Sequence, residues 1–413
     1  MDSIPAPEQR HGSATHVLAL NSGSSSLKFG LYRVGPTRID RLVTGAAEMI
    51  GDAAAVIHAE NTLGQGPLRE AIPMDDQRAA IIRIGQLLSD LEAPAPDAIG
   101  HRVVHGGPQL REHCLIDEAV LQLLEASTAF APLHTPAALA LIRFAARHFP
   151  GLPQVACLDT TFHARMPSVA STLPLPAELR SAGIQRYGFH GLSCESIVGQ
   201  LAGTMPDRLI IAHLGNGASI TAVKHGTSID TSMGMTPTGG LIMGTRSGNL
   251  DPGVLVYLMR DMRLDCAGIE NLVDHRSGLL GISGISGDMR SLHEAAAESA
   301  DARLAIEMFS YAAAKEIGAM GTVLNGADMI VFTGGIGEHD GLVRAAICAR
   351  LSGLGVELDE GRNRLGRGSI GRAGSRCEVQ VLASQEDEQI ARHAWSLCRG
   401  AAKSTGRAHA GSG

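Results

Sequence analysis

Residues 17–32 read VLALNSGSSSLKFGLY, and this stretch decides the fold. Its two apolar ends enclose a turn of Asn, Gly and Ser at 21–26, a pattern that predicts a β-hairpin. The stretch 209–223 repeats the pattern around the turn 215–217. Two matched hairpins indicate that two domains of one ancestry share the chain.

Length and composition point to a globular protein. The chain has 413 residues, which favours two domains over one core, and 44% of its residues are hydrophobic. The net charge of −7 argues against a nucleic-acid partner, because such proteins usually carry a basic excess. No apolar stretch is long enough for a transmembrane helix, and the polar N-terminus does not resemble a secretory signal. Seven cysteines without a C-x-x-C motif fit free thiols in a reducing, cytoplasmic compartment.

Hydrophobic periodicity outside the hairpins alternates between short runs and helical spacing, which predicts α/β layers. Short apolar runs at 98–100 with 103–104, and at 154–158, predict strands, as do the stretches 329–332 and 379–382. Helices are predicted at 77–91, 117–126, 136–147, 252–262, 289–324 and 386–397. Asp251 before Pro252 is typical of a helix start.

Glycine-rich segments are the first sign of a ligand site. The absence of a Gly-Lys pair excludes a P-loop, and the G-x-G-x-x-G at 366–371 follows no predicted strand, so we interpret it as chance. The segments 21–26, 213–217, 281–290 and 333–339 combine glycine with polar residues. Their backbone N–H groups could form anion nests, which indicates a polyphosphate site, although each segment alone also fits an ordinary turn.

Five polar residues near these segments are candidates for chemistry: Arg102, His134, Asp159, His190 and Arg246. An ionised group at the end of an apolar strand lies at the sheet edge where α/β proteins bind ligands. Each residue alone also fits a purely structural role at the surface or in the core. Asp159 fits such a role least, because a carboxylate is rarely buried without a partner.

Nine motifs together resemble those of the acetate kinase family, in the superfamily shared by sugar kinases and actin, from about residue 16 to 400. They are NSGSSSLKF at 21–29, GHRVVHGG at 100–107, APLHTP at 131–136, LDTTFH at 158–163, RYGFHG at 186–191, HLGNGAS at 213–219, MGTRSGNLDPG at 243–253, GDMR at 287–290 and TGGIGE at 333–338.

The resemblance implies an α/β fold of two duplicated actin-like, ribonuclease H-like domains with an interdomain active-site cleft. We expect an N-terminal domain of 16–160 plus 386–400, and a C-terminal nucleotide-binding and dimerisation domain of 161–385. Residues 1–15 and 401–413 are expected to be flexible tails. The resemblance also implies a homodimer without a membrane partner.

The implied reaction is ATP + acetate ⇌ ADP + acetyl phosphate with Mg²⁺, for which Mn²⁺ can substitute. The catalytic residues carried over by the motifs are Asp159, His190, Arg246, Arg102 and His134. The implied metal-associated residues are Asn21 and Glu386, with Asp387 and Glu388 close enough to confuse the register. The implied substrate pocket is Arg102, Val104, Leu133, Phe189 and Pro237. The implied ATP-binding residues are Ser24, Ser26, Lys28, His213, Leu214, Gly215, Asn216, Gly217, Asp288, Met289, Arg290, Gly335, Ile336, Gly337, Glu338 and His339.

These residue types suit phosphoryl transfer, which is catalysed mainly by positioning and by stabilising spread negative charge. Arginine can hold a carboxylate or phosphate with two hydrogen bonds. Because acetate is already ionised at pH 7, it needs no base. Asp159 is therefore predicted to orient an arginine rather than to abstract a proton.

Departures from the family pattern leave alternatives open. Residues 236–240 read TPTGG where the family usually has TPLEG, and His339 replaces a usual Asn. A propionate or butyrate kinase shares the motifs and differs only in pocket depth. A non-enzymatic actin-like nucleotide switch would need the phosphate loops but not the substrate-side set, and a sugar kinase would need a base and a polar pocket.

Overall fold

The computed structural model describes residues 14–23, 26–64, 66–131 and 134–410. These residues form two compact units, one reaching Leu158 and resuming at Glu386, and the other comprising Asp159–Gln385. Each unit is built on its own mixed sheet, so the predicted α/β fold class is confirmed. No helix among the described residues is long and apolar enough to cross a membrane.

Unit 1 carries an eight-stranded sheet with helices packed on it. Its elements up to Leu158 are β1 (Thr15–Ser22), β2 (Leu27–Val34), β3 (Ile39–Glu48), β4 (Val56–Asn61), β5 (Leu68–Ala71), α1 (Gln77–Asp90), β6 (Ala98–Val103), β7 (Cys114–Leu115), α2 (Glu118–Ala126), α3 (Thr135–His148) and β8 (Gln154–Leu158). The strand order is β5-β4-β3-β2-β1-β6-β8-β7, and β1, β6 and β8 run parallel. The core is mainly aliphatic, with Leu18, Leu20 and Phe29 of the first hairpin fully buried in it.

Unit 2 repeats the arrangement in a six-stranded sheet. Its elements are α4 (Ser168–Ser171), α5 (Ala177–Ser181), α6 (Gly191–Gln200), β9 (Arg208–Leu214), β10 (Ala218–Lys224), β11 (Thr227–Thr231), α7 (Pro252–Arg260), α8 (Cys266–His275), α9 (Gly278–Ser283), α10 (Met289–Ala295), α11 (Ala300–Val323), β12 (Met329–Thr333), α12 (Gly334–His339), α13 (Gly341–Cys348), α14 (Glu360–Leu365), β13 (Gly368–Ser369) and β14 (Glu378–Val381). The strand order is β11-β10-β9-β12-β14-β13.

The two sheets share one plan. In each, an antiparallel three-strand meander continues into two strands parallel to its inner member: β3-β2-β1 into β6 and β8, and β11-β10-β9 into β12 and β14. The inner member and its neighbour are the hairpins predicted from 17–32 and 209–223. The repeat seen in the sequence is therefore a repeat of topology.

The last helix, α15 (Glu386–Ala410), returns to unit 1 and packs on β1, β2 and β6. The approach is close because β6 has a glycine beneath it: a Cβ at Gly100 would lie 2.5 Å from Ile390 Cγ2. The helix continues through residues 401–410, which the sequence analysis assigned to a tail. The remaining predicted tail residues, 1–13 and 411–413, lie outside the described residues.

Capping residues explain several helix boundaries, one of which the sequence analysis did not predict. Asp251 accepts a hydrogen bond from the N–H of Gly253 and opens α7 as predicted. The prediction of a single helix over 289–324 is wrong, because α10 ends at Ala295 and α11 begins at Ala300. Ser299 adopts extended backbone angles and its hydroxyl accepts from the N–H of Ala302, so a serine cap interrupts an otherwise helical alanine-rich stretch.

Candidate active site

The described residues of the first glycine segment lie at the end of β1 and just before β2 in unit 1. Asn21 lies opposite Lys28 across the two strands, and the N–H of Gly23 donates to Ser26 O at 2.8 Å. The side chain of Gln77 donates to Gly23 O at 2.8 Å and thereby ties the turn to α1. Ser24 lies outside the described residues.

Two carboxylates at the start of α15 meet the hairpin. Asn21 Nδ2 donates to Glu386 Oε2 at 3.1 Å and to Asp387 Oδ1 at 3.0 Å. Burial raises the pKa of Asp387, and the charge of Glu386 adds to the rise, while Asn21, Lys28 and Arg102 oppose it. Two adjacent carboxylates and an amide form an oxygen-rich group of the kind that Mg²⁺ prefers, and a bound cation would relieve the repulsion between the acids.

Arg102 lies on β6 beside this group. Its Nη1 reaches Asn21 Oδ1 at 3.5 Å, at the limit of a hydrogen bond. A cavity of unit 1 opens there and is lined by Ser22, Gly23, Arg102, Val104, His134 and Ala138. The structure thus brings the predicted Arg102, Val104 and His134 together. Leu133, predicted for the same pocket, lies outside the described residues.

Two histidines stack in unit 2. His190 precedes α6 with φ 58°, a left-handed conformation that is uncommon outside glycine. Its Nδ1 lies 3.0 Å from Ser219 Oγ, and its ring stacks on that of His213 at 4.2 Å between centroids. His213 Nδ1 in turn lies 2.8 Å from Ser193 Oγ. Strand and helix therefore hold both imidazole rings in defined orientations.

Arg246 meets His190 at a glycine. A Cβ on Gly217 would lie 3.0 Å from His190 Nε2 and 3.6 Å from Arg246 Nη1, so only a residue without a side chain fits comfortably there. Arg246 Nη1 also donates to Pro237 O at 3.3 Å. A guanidinium and an imidazole thus lie beside the partly exposed backbone of Gly217, where developing negative charge could be stabilised.

The predicted Asp159 and Phe189 occupy the buried side of this region. Asp159 is 1% exposed, and its main-chain oxygen accepts from the N–H of Gly191 at 2.8 Å. Phe189 is 1% exposed, and its carbonyl oxygen lies 2.9 Å from Nε2 of the buried His163. Phe189 immediately precedes His190 in the chain, and the carbonyl of Asp159 holds the turn just after His190.

The other glycine segments converge in unit 2. The N–H of Gly244 donates to Asn216 O at 3.1 Å, and a Cβ on Gly287 would lie 2.7 Å from Gly244 O. A Cβ on Gly215 would lie 3.7 Å from the backbone nitrogen of Gly335, which itself has open space where a side chain would be. Segments that are distant in sequence therefore approach one another at glycines, and backbone N–H groups at such glycines can bind a phosphate.

Two carboxylates of the predicted ATP-binding set support their own loops. Asp288 caps α10, accepting from the N–H groups of Arg290 and Ser291, and the side-chain hydrogen bond from Arg290 lowers its pKa. Glu338 Oε1 accepts from the N–H of Gly334 at 2.9 Å and from that of Ser384 at 3.0 Å. Met289, Ile336 and His339 lie on the short helices α10 and α12 that follow these loops.

Sequence reasoning missed Arg344. This arginine is 1% exposed, and Nη1 donates to Gly337 O at 2.8 Å and Glu338 O at 2.9 Å. Its other nitrogens donate to Asn363 Oδ1 at 2.9 Å and Asn363 O at 2.6 Å. The sequence offered one signal that could have identified it: Arg344 lies on the apolar face of α13, where a charged side chain is unusual.

Comparisons with known proteins agree on one family. The model of the acetokinase family matches residues 16–392. The acetate kinase of Rhodopseudomonas palustris is 41% identical over 396 residues, covering 93% of this chain and 98% of that protein. Acetate kinase 2 of Neisseria meningitidis serogroup A is 42% identical over 392 residues, covering 91% of this chain and 96% of that protein.

Solved structures agree as well. A propionate kinase from Francisella tularensis has a TM-score of 0.86 at 38% identity, and the Porphyromonas gingivalis acetate kinase has 0.82 at 35%. Each comparison covers 93% of this chain and 100% of the other. The resemblance and the actin-like fold expected from the motifs are confirmed. The chain is a kinase that belongs to the acetokinase family.

Proposed function

We propose that this kinase transfers a phosphoryl group reversibly between ATP and acetate, giving ADP and acetyl phosphate. The relatives named acetate kinase, at 41–42% identity, support acetate as the acceptor. The structural observation that carries the proposal is the meeting of Arg246 and His190 at the bare backbone of Gly217. That arrangement places two groups able to stabilise negative charge beside the glycine-rich segment 213–217.

The nucleotide would be held by unit 2. Backbone N–H groups of segments 213–217 and 335–339 would bind phosphate oxygens, because glycine lets the oxygens approach closely. Open space at Gly335 supports this role. Asp288 and Glu338 would act by shaping the loops, since their carboxylates already accept backbone N–H groups.

The divalent cation would be held by Asn21 and Glu386, with Asp387 beside them. When bound, Mg²⁺ would neutralise phosphate charge, and Mn²⁺ would suit the same oxygen ligands. The hydrogen bonds from Asn21 to both carboxylates support this assignment, because they hold the acids together at the hairpin turn.

The remaining residues would act on the acyl substrate and the transferring group. Arg102 would bind the carboxylate, and Val104 in the same cavity would contact the methyl group. Arg246 and His190 would stabilise charge on the equatorial oxygens. Asp159 would orient an arginine, which is consistent with its burial. No base is required, because the acceptor is already a carboxylate.

Propionate is the second candidate acceptor. The specific observation in its favour is the likeness to the Francisella tularensis propionate kinase, at a TM-score of 0.86. One methylene changes discrimination by only about 1–3 kcal/mol, so both acids would be used at different efficiency. A nucleotide switch is disfavoured because it would not need Arg102, His190 and Arg246 in addition to the phosphate loops.

A cytoplasmic homodimer is part of the proposal. All seven cysteines are free thiols, which fits a reducing compartment. In unit 2, α7 exposes a run of large apolar side chains, with Val256 at 55%, Tyr257 at 54% and Met259 at 50%. Large apolar side chains exposed close together in a helix often belong to an interaction site, and a second copy of the chain would cover them.

The test is trapping of acyl phosphate with hydroxylamine after incubation of the protein with Mg·ATP and acetate. The wild type should form hydroxamate, and Arg246→Ala should lose at least about a hundredfold in rate, as expected when a charge-stabilising donor is removed. Arg372→Ala is the matched control, because Arg372 is exposed and pairs with Glu357. No hydroxamate from acetate, propionate or butyrate, despite ADP binding, would refute the proposal.

A further inference from the structure

We propose that Thr238 and Asp274 are positioning residues that hold the guanidinium of Arg246 in place. This inference rests on the proposed function, because it assigns Arg246 a part in phosphoryl transfer. Neither Thr238 nor Asp274 belongs to the motifs that carried the family resemblance. The contact between them was visible only in the folded chain.

The guanidinium of Arg246 contacts its own loop at the carbonyl of Pro237 and at Met243 Sδ. Arg246 Nη1 donates to Pro237 O at 3.3 Å, so movement of that carbonyl would move the donor. The loop is closed at its base, since the N–H of Gly240 donates to Asn249 Oδ1 at 2.8 Å and the N–H of Asn249 donates to Gly240 O at 3.0 Å. Pro237 lies outside the segment 240–249 that these two hydrogen bonds close. Its position therefore depends on a separate contact, which we call the anchor.

Asp274 supplies this anchor from the last turn of α8. Thr238 Oγ1, in the residue after Pro237, donates to Asp274 Oδ1 at 2.5 Å. Thr245 Oγ1, in the residue before Arg246, donates to the main-chain oxygen of Asp274 at 2.7 Å. One residue therefore fixes both ends of the Pro237–Arg246 contact.

The position of Asp274 is electrostatically unfavourable for the helix. The C-terminal end of a helix carries partial negative charge, so a carboxylate in the last turn costs stability there. Thr238 donates a charge-assisted hydrogen bond to it, and Asp274 is only partly exposed. Residues that break a local rule in this way are expected at functional sites, where positioning outweighs helix stability.

The anchor lies in the segment where this sequence departs from the family pattern described above. Thr238 stands where the family pattern has Leu, and leucine has no hydrogen to donate to Asp274. The same segment lacks the Glu of the pattern, having Gly239 instead. The hydroxyl of Thr238 thus restrains a segment that the extra glycine would otherwise loosen.

The test is a double-mutant cycle of Thr238→Val and Asp274→Ala, read as kcat and KM for hydroxamate formation. Valine keeps the shape of threonine and removes only the donor. We expect kcat to fall about tenfold, the worth of one hydrogen bond to a charged group, with KM for Mg·ATP within about twofold. The double variant should lose no more than the worse single variant, because both remove one contact. Thr238→Ser should restore kcat.

Thr204→Val is the matched control, since Thr204 Oγ1 donates to a main-chain oxygen, Leu201 O at 3.3 Å, just after α6. A wild-type kcat in Thr238→Val, a loss that serine does not restore, or additive losses in the cycle would overturn the inference. Amide hydrogen exchange of residues 236–249 gives a readout independent of activity, and Thr238→Val should speed it. If the wild type forms no acyl phosphate but exchange still responds, the proposed function fails while the anchor stands. Unchanged exchange would refute the anchor itself.

Discussion

Replacing Arg344 by Met should destabilise unit 2 and loosen the loop at 335–339. The guanidinium donates four hydrogen bonds, two of them to Gly337 O and Glu338 O. These oxygens lie in the last turn of α12, where helix carbonyls have no partner within the helix. Methionine would fill much of the volume but leave the carbonyls and Asn363 without this donor.

The magnitude follows from two opposing effects. Hydrogen bonds to a charged group contribute about 1.5–3 kcal/mol each, so four of them have a gross value near 6–12 kcal/mol. Burial lowers the pKa of Arg344, because the charged form loses solvation. Desolvation of a buried ion typically costs several kcal/mol, and methionine removes this cost. The expected net loss is about 3 kcal/mol, or about 6–12 °C in Tm for a domain of this size.

Thermal unfolding and calorimetric binding of Mg·ADP would measure the effect. Arg350→Met is the matched control, because Arg350 is 39% exposed and donates to Ala346 O. Arg344→Lys should also be destabilised, since one ammonium cannot reach all four acceptors. If Arg344→Met melts within about 2 °C of the wild type and binds Mg·ADP equally well, the reasoning is wrong.

Three further predictions concern other parts of the chain. Gly100→Ala should destabilise unit 1 by about 2 kcal/mol in urea unfolding, because the new Cβ would lie 2.5 Å from Ile390 Cγ2. His163→Gln should have a lower free energy of unfolding than the wild type at pH 7.5. The difference between the two free energies should become about 3 kcal/mol smaller as the pH falls to 4. Burial lowers the pKa of His163 to about 4 from about 6.5, so the unfolded wild type gains a proton that the folded form does not, and stability falls as pH drops. Val256→Asp should halve the mass measured by light scattering, since it places a charge on the exposed apolar face of α7.

Each of these predictions has its own control or contrary result. Gly66→Ala should be neutral within about 0.5 kcal/mol, because nothing lies within 4 Å of its added Cβ. A gap between His163→Gln and wild type that stays constant with pH would contradict the pKa argument. Val169→Asp alters an equally apolar side chain, 92% exposed on α4, and should leave the mass unchanged. A monomeric wild type would remove the basis for the α7 prediction.

Local rules accounted for much of the fold. The hairpins at 17–32 and 209–223 formed in the predicted places, because apolar runs and glycine turns act over a few residues. The break between α10 and α11 was not predicted, because the alanine-rich residues on both sides favour a helix. The hydroxyl of Ser299 caps α11 and so starts a new helix there. The G-x-G-x-x-G interpretation also agrees with the structure: Gly366 ends α14 in a left-handed conformation and is followed by β13, the reverse of a strand-to-helix phosphate turn.

The sequence by itself determined the α/β class, the repeated hairpins and the types of residue available for phosphoryl transfer, because these follow from periodicity and motif chemistry along the chain. Only the tertiary structure decided which segments meet: Asn21 with Glu386 and Asp387, Gly217 with His190 and Arg246, and Arg344 with the loop at 335–339. Contacts between residues far apart in sequence depend on how whole strands and helices pack. The Thr238–Asp274 contact belongs to this second kind, since its two residues lie 36 positions apart and no local pattern pairs them.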